Sequence, residues 1–188
     1  MLRQAKLLAL KAARSSGASS AVLTSSWRRS RLLILCYHGI SLDDEHLWNP
    51  GLYISAAFFQ ARLESLRAHG CSVLPLGEAV ERLYAGTLPA RSVVLTFDDG
   101  FFDFHQLAWP KIKAFSWPVT VYLTTYYSEY NRPVFDPACS YLAWKSRQSE
   151  LRWPEIFGNS PVPLGGSEAA HAGHRVKEYA TEKKLSGQ

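Results

Sequence analysis

Four short apolar runs, separated by stretches with helical spacing, constrain the fold of this chain more than any other feature. They occupy residues 32–37, 71–74, 93–97 and 119–123. Continuous apolar runs of this length are typical of strands that are buried on both faces, as in a parallel sheet covered by helices. The alternation of strands with helices therefore predicts an α/β fold with about four parallel strands, in an open sheet or a barrel.

Helix signals fill the intervals between these runs. Ser55 is a good N-cap residue for a helix that ends before Gly70, because both residue types are common at those positions. A second helix is predicted at 76–85, with Tyr84 among the residues that face inward. Pro110 lies inside a third helical stretch and should kink or split it, because proline lacks the backbone N–H of a helix interior.

The chain has 188 residues, which suggests one domain, and its basic excess is confined to the N-terminal part. Seven basic residues and no acidic residue precede position 43. Leucines among the first dozen residues give this basic arm (1–30) the pattern of a short amphipathic helix. A solvated or packed helix and contact of residues 1–31 with an anionic membrane surface both fit this pattern. We expect no nucleic-acid partner, because the arm lacks interleaved aromatic residues and nucleic-acid motifs.

No apolar stretch approaches the ~18–20 residues that a transmembrane helix needs, and Lys11 and Arg14 interrupt what would be the core of a signal peptide. A cytoplasmic or membrane-associated location is therefore favoured over secretion. The three cysteines, Cys36, Cys71 and Cys139, are too few and too scattered for a disulfide framework or a cysteine zinc site. Two of them lie in apolar runs, so we expect buried thiols.

The chemistry is concentrated in Asp98 and Asp99, which follow the third apolar run and precede Gly100. Sites in parallel α/β folds are built at the carboxyl ends of the strands, which is where these two carboxylates lie. Two close carboxylates repel each other unless a cation intervenes, so one is expected to bind a metal while the other acts as a base. An ordinary turn explains the same residues equally well, since Asp and Gly are common in turns.

Several other residues have two interpretations. His38 ends the first run at the same edge as Asp98, so it either lines the site or is a buried, hydrogen-bonded histidine. Asp103 is better explained as the N-cap of the next helix than as a site residue. Aromatic residues of the second half would serve either as stacking platforms for sugars or as core packing; they are Trp109, Trp117, Tyr126, Tyr127, Tyr130, Trp144 and Trp153.

Two segments resemble the polysaccharide deacetylases, the metal-dependent carbohydrate esterases related to chitooligosaccharide deacetylase. The first is LTFDDG at 95–100, and the second is LILCYHGI at 33–40, which resembles the opening strand of that family. The residues at 101–125 resemble the helix and strand that follow the DDG motif. The resemblance runs from about residue 31 to 125 and, more loosely, through 134–147.

The resemblance implies a distorted (β/α) barrel and a hydrolase that acts on carbon–nitrogen bonds other than peptide bonds. Its substrate would be an N-acetylated poly- or oligosaccharide, and its products a free amine on the sugar and acetate. By the same resemblance, Asp98 would be the general base and Asp99 a ligand of a divalent metal, usually zinc. The chain then divides into the basic arm (1–30), the N-terminal part of the barrel (31–125), and an aromatic and Pro/Gly-rich insertion that ends in a polar helix (126–188).

The histidine motif that supplies two further metal ligands in this family is not recognisable. His171 and His174 share a predicted helix face, which allows chelation, but solvated surface histidines explain them better. We therefore expect this chain to be the N-terminal part of a longer deacetylase, without the remaining metal ligands. Two alternatives are a catalytically inactive relative that binds carbohydrate and a membrane-surface protein that uses its basic arm.

Overall fold

A computed structural model of the chain describes residues 2–18, 21–22, 25–146, 149–164 and 167–183. Contacts within the chain divide it into two compact units. Unit 1 comprises Met1–His38 and Ala57–Tyr122, and unit 2 comprises Gly39–Ala56 and Leu123–Gln188. Each unit is thus assembled from segments that are not contiguous in the sequence.

Helices and strands alternate along most of the described chain. The α-helices are α1 (Leu2–Ser15), α2 (Ser26–Arg29), α3 (Glu45–Trp48), α4 (Ala56–Ala68), α5 (Leu76–Tyr84), α6 (Trp109–Ala114), α7 (Thr125–Tyr130), α8 (Phe135–Lys145), α9 (Pro154–Phe157) and α10 (Ser167–Glu182). The strands are β1 (Leu33–Tyr37), β2 (Gly39–Ser41), β3 (Tyr53–Ser55), β4 (Ser72–Val73), β5 (Ser92–Phe97), β6 (Thr120–Val121), β7 (Glu150–Leu151) and β8 (Val162–Pro163).

The sheet of unit 1 is built around β5. Strand β1 pairs with β5 in parallel on one side, with Tyr37 opposite Phe97. Strands β4 and β6 pair with β5 at its beginning and its end, also in parallel. The four apolar runs therefore form a parallel sheet, as the sequence predicts. No sheet closes on itself within the described residues, so the barrel stays a prediction.

Strand β1 is less buried than its sequence predicts. Leu33 is 42% exposed and Ile34 is 48% exposed, so the expectation of burial on both faces is wrong for this strand. The reason is its place in the sheet, because β1 pairs with β5 alone among the strands of the described ranges. Only the last residue of β1, Tyr37, is buried.

Aromatic rings form the core beneath the end of β5. The ring of Tyr37 stacks on Phe97 at 5.3 Å between centroids, and Phe59 of α4 meets both rings edge-on. Phe104 packs edge-on against Phe97 from the other direction, at 4.9 Å. These contacts fix the carboxyl ends of β1 and β5 relative to α4, which is what positions the polar groups that follow.

The helices of unit 1 mostly lie where the sequence predicts them. Helix α4 begins after Ser55 and is followed by Gly70, whose φ of +60° suits glycine. The helical stretch is split as predicted, into a π-helical turn at Phe104–Ala108 and α6, with Pro110 in the first turn of α6. The expectation that Tyr84 faces inward is wrong, because Tyr84 is 87% exposed. Helix α5 contacts β5 and buries the small residue Ala79 instead, which allows close approach of the helix to the sheet.

Helix α1 matches the predicted amphipathic helix of the basic arm. Its leucines Leu7, Leu8 and Leu10 are all at least half exposed. Within the described ranges, no helix combines the length and the apolar character needed to span a membrane.

Unit 2 contains helices where the sequence shows no clear periodicity. Most of α7 and all of α8 lie within 126–148, a segment whose sequence indicates only an aromatic and Pro/Gly-rich insertion. Helix α8 packs on α10, which corresponds to the predicted polar helix at the end of the chain; the sequence predicts that helix from Glu168, after a cap at Ser167, to about Leu185. The last residues of the predicted helix, beyond 183, lie outside the described part of the chain.

One carboxylate joins two segments of unit 2. Asp44 accepts a hydrogen bond from the indole of Trp48 at 3.1 Å and another from the indole of Trp144 at 2.9 Å. Strand β2 pairs in parallel with β3 close by, and a Cβ at Gly39 would collide with the ring of Tyr53. The hydrogen bond from Trp144 to Asp44 therefore links the segment 39–56 to α8. Within this segment, the pairing of β2 with β3 and the close approach of Gly39 to the ring of Tyr53 hold the two strands together.

Candidate active site and metal centre at the ends of β1 and β5

The carboxyl ends of β1 and β5 lie side by side because the two strands are parallel and in register. The backbone N–H of Asp98 donates to the carbonyl of Tyr37 at 2.8 Å, which extends the pairing by one residue. His38 and Asp98 are therefore neighbours at the sheet edge where α/β proteins build their sites.

Side-chain alternation divides these strand ends into two faces. Tyr37 and Phe97 point into the aromatic core. Their neighbours Cys36 on β1, His38 directly after β1 and Asp98 directly after β5 present their polar groups together. The same short segment therefore anchors the fold on one face and offers reactive groups on the other.

The three polar groups converge on one carboxylate oxygen. The thiol of Cys36 donates to Oδ2 of Asp98 at 3.2 Å, and Nε2 of His38 lies 3.7 Å from the same oxygen. One ligand atom from each of the three residues lies within 4.8 Å of the others. The His38 and Asp98 side chains are 38% and 36% exposed, so a water molecule or a cation can reach them.

A tight turn follows at Asp99. The N–H of Gly100 donates to the carbonyl of Asp98 at 2.9 Å, which closes a three-residue turn with Asp99 at its centre. The φ of Asp99 is +67° and that of Gly100 is +64°, both in the left-handed region. Asp tolerates this region better than most residues, but the conformation is still strained, and such strain is concentrated at functional sites.

The thiol of Cys36 is held in its protonated form. Partial desolvation raises the pKa of this thiol, and the Asp98 carboxylate that accepts its hydrogen bond raises it further. A hydrogen bond with Thr96, the residue opposite Cys36 on β5, acts in the other direction and lowers the pKa. The thiol is therefore a donor to Asp98 and becomes a ligand only when a cation displaces its proton.

The structure brings together two of the three predicted site residues. His38 and Asp98 are adjacent, whereas Asp99 is not a member of the three-donor group. Asp103 directly precedes the π-helical turn, but its backbone is already helical, with φ −62° and ψ −26°, and its buried side chain makes no capping hydrogen bond there. The predicted capping contact of Asp103 is therefore wrong.

Cys36 is the residue that sequence reasoning missed. It was expected to be a buried thiol, but it is exposed because β1 lies at the sheet edge. The signal in the sequence is its spacing: residues two apart on a strand share a face, so Cys36 and His38 belong together. Cys71 and Cys139 are partly buried rather than fully buried.

Of the histidine pair of the C-terminal helix, the structure describes the side chain of His174 alone. His174 is exposed on α10, with Nε2 3.2 Å from Oε1 of Glu178, one helical turn away. The side chain of His171 lies outside the described part of the structure. Among the side chains that are described, the only group of three metal-binding donors is Cys36, His38 and Asp98.

Comparisons with known proteins support the resemblance that the motifs suggest. No protein-family model matches the chain. It is 30% identical over 105 residues to YxkH of Bacillus subtilis (strain 168), which carries the name of a polysaccharide deacetylase; the match covers 53% of this chain and 36% of YxkH. It is 27% identical over 93 residues to the poly-β-1,6-N-acetyl-D-glucosamine N-deacetylase of Escherichia coli (strain K12), covering 49% of this chain and 14% of that enzyme.

Among solved structures, the deacetylase PplD of Streptococcus pyogenes in complex with acetate has a TM-score of 0.49 and 28% sequence identity. That match covers 57% of this chain and 50% of PplD. The chain is thus similar to polysaccharide deacetylases over about half of its length. It spans well under two thirds of each curated relative that it matches.

Proposed function

We propose that this chain carries part or all of a site that hydrolyses N-acetyl groups on an amino-sugar poly- or oligosaccharide. One observation supports this most: in a chain similar to polysaccharide deacetylases, the partly exposed Asp98 carboxylate is held at the paired ends of two parallel strands. The proposal includes the distorted (β/α) barrel implied by the resemblance, of which the sheet of unit 1 would be the N-terminal part.

The chemistry assigned to the described residues is general-base catalysis. Asp98 takes a proton from a water molecule, whose oxygen attacks the acetyl carbonyl carbon. The carbon–nitrogen bond then breaks, the amine leaves with the proton that Asp98 took from the water, and acetic acid is released and ionises to acetate. His38 lines the site, with Nε2 3.7 Å from Oδ2 of Asp98.

The resemblance also assigns Asp99 to a divalent cation, with zinc as the candidate. A protein zinc site uses three or more protein ligands. The three-donor group of the described residues contains Asp98 and lacks Asp99, so these residues do not complete a metal site around Asp99. We therefore assign no catalytic step to a metal here.

The test is acetate release from N-acetylglucosamine oligomers by the full chain, with and without added Zn²⁺. We expect Asp98→Asn to lower the rate at least about 100-fold, the usual contribution of a general base. Asp43→Asn is the matched control, because Asp43 is an exposed carboxylate of unit 2 outside the three-donor group. Absence of acetate release from the unsubstituted chain under both conditions would overturn catalysis by this chain.

Binding of carbohydrate without catalysis is the second candidate. Tyr126 and Tyr130 of α7 are 43% and 57% exposed, with ring centroids 5.0 Å apart, and exposed aromatic rings can stack on sugars. If the chain releases no acetate but binds N-acetylglucosamine oligomers, Tyr126→Ala and Tyr130→Ala should weaken that binding. Tyr84→Ala, an exposed tyrosine of unit 1, should leave it unchanged.

A further inference from the structure

The donors at the ends of β1 and β5 are three different chemical types: a thiol, an imidazole and a carboxylate. Zinc and related cations accept all three, whereas magnesium and calcium prefer oxygen ligands alone. We propose that Cys36, His38 and Asp98 form a site for a thiophilic divalent cation, represented by Zn²⁺. This site is distinct from the one that the resemblance assigns to Asp99.

The spacing of the donors suits a tetrahedral ion. Zinc at about 2.0–2.3 Å from its ligands places neighbouring ligand atoms roughly 3.3–3.6 Å apart. The observed distances to Oδ2 of Asp98 are 3.2 Å from the Cys36 sulfur and 3.7 Å from Nε2 of His38, which bracket that range. The thiol and the imidazole lie within 4.8 Å of each other, so side-chain rotation has to bring these two donors together around the ion.

The backbone holds the site before any cation arrives. Cys36 and His38 are two residues apart at the end of β1, and the parallel register with β5 sets Asp98 beside them. Thr96, which is buried, lies opposite Cys36 and hydrogen-bonds to it. Partners of this kind orient metal ligands and raise the affinity of a site.

Cation binding would change the protonation of Cys36 and the availability of Asp98 as a base. The Cys36 thiol, which donates to Asp98, must release its proton to solvent when the sulfur binds the ion. The ion then draws electron density from Oδ2 of Asp98, which makes the carboxylate a weaker base. The inference goes beyond the proposed function, because it requires no deacetylase activity, and it predicts that a thiophilic cation slows base catalysis by Asp98.

The test uses the full chain, freed of metal with a chelator and titrated with Co²⁺, whose thiolate complexes have a charge-transfer absorption in the near ultraviolet. We expect this band in the unsubstituted chain and its loss on addition of Zn²⁺, which competes for the site. Cys36→Ser should abolish the band and weaken Zn²⁺ binding at least about tenfold, since two protein ligands are fewer than zinc sites use.

Two controls separate this site from others. Cys71→Ser removes a partly buried thiol of the same unit that is not in the group, and should keep both the band and the affinity. Asp99→Asn should also keep them. The proposal is wrong if the unsubstituted chain shows no thiolate band, if Cys36→Ser retains it, or if Asp99→Asn abolishes it.

Circular dichroism spectra and thermal unfolding of metal-free Cys36→Ser and His38→Gln show whether each variant is folded. If Cys36→Ser does not fold, the test rests on His38→Gln. This variant should bind Zn²⁺ about tenfold more weakly than the unsubstituted chain. An unchanged affinity for Zn²⁺ would show that the proposed site is wrong. Acetate release plays no part in these readouts, so failure of the cation site and failure of the proposed function are distinguishable.

Discussion

Strands β1 and β5 have similar apolar sequences and different surroundings. Strand β5 has neighbours on both sides, and all six of its residues are buried. Strand β1 pairs with β5 alone in the described structure, and Leu33 and Ile34 are nearly half exposed. An apolar run therefore predicts a strand, but the number of neighbouring strands decides how much of it is buried. The edge position of β1 is also what leaves Cys36 accessible.

The same substitution in the two strands should have unequal effects. Leu95→Ala in β5 removes a fully buried side chain and should lower the free energy of unfolding by about 2–5 kcal/mol. Leu33→Ala in β1, where the side chain is 42% exposed, should cost less than about 1 kcal/mol. Urea unfolding of both variants measures the two values. Equal losses would mean that another surface covers β1 in solution.

Glycine substitutions should distinguish the strained end of β5 from a relaxed helix. Gly100→Ala places a Cβ on a residue with φ +64° and should destabilise unit 1 by about 1 kcal/mol. Gly77→Ala in α5, where no atom approaches the added Cβ within 4 Å, should stabilise it by about 0.5–1 kcal/mol. Thermal unfolding measures both changes in stability. A destabilised Gly100→Ala and a stabilised Gly77→Ala would support strain in the turn. An unchanged stability of Gly100→Ala would show that the turn adjusts its backbone to the added Cβ.

The stacked pair between the strands contains one hydroxyl without a partner. Tyr37 is 6% exposed, and its hydroxyl makes no hydrogen bond in the described structure. An unsatisfied buried hydroxyl is costly, so Tyr37→Phe should raise the free energy of unfolding by about 1 kcal/mol. Tyr84→Phe, at a position that is 87% exposed, should change it little. A destabilised Tyr37→Phe variant would indicate that a water molecule satisfies the hydroxyl.

The smallest expected effect is on thiol reactivity in β1. Because the pKa of Cys36 is raised by desolvation and then by Asp98, less thiolate is present at a given pH, and alkylation should be slow. Asp98→Asn removes the carboxylate contribution, so the pH at which alkylation accelerates should move down. Mass spectrometry of iodoacetamide labelling at Cys36 against pH measures this. An unchanged profile would show that Asp98 does not contribute to the raised pKa of Cys36.

Much of unit 1 follows from the sequence because its signals are local. Apolar runs mark the strands, Ser55 and Gly70 bound α4, and Pro110 lies next to the break between the two helical segments after β5. The location of Asp98 at a strand end follows from the same local pattern. Whether Asp98 acts as a base and Asp99 as a metal ligand remains a prediction.

The rest depends on contacts between residues far apart in the chain. The amino-acid sequence of β1 does not show that this strand pairs with β5 alone in the described structure. The exposure of Cys36 could therefore not be predicted from the apolar residues next to it in the sequence. The prediction that Tyr84 faces inward is wrong because the small residue Ala79 is buried on the inward face of α5 instead. Helix α8 was missed because its aromatic-rich sequence lacks a polar face at helical spacing.

The shared acceptor Asp44 has a consequence for the order in which the protein is made. Its two indole donors lie on either side of the second segment of unit 1, and Trp144 is 100 residues from Asp44. A ribosome therefore releases all of unit 1 before it delivers the residue that fastens the segment 39–56 to α8. During translation, the segment 39–56 therefore lacks its hydrogen bond to α8 at a stage when the strands on either side of β5 have already been synthesised.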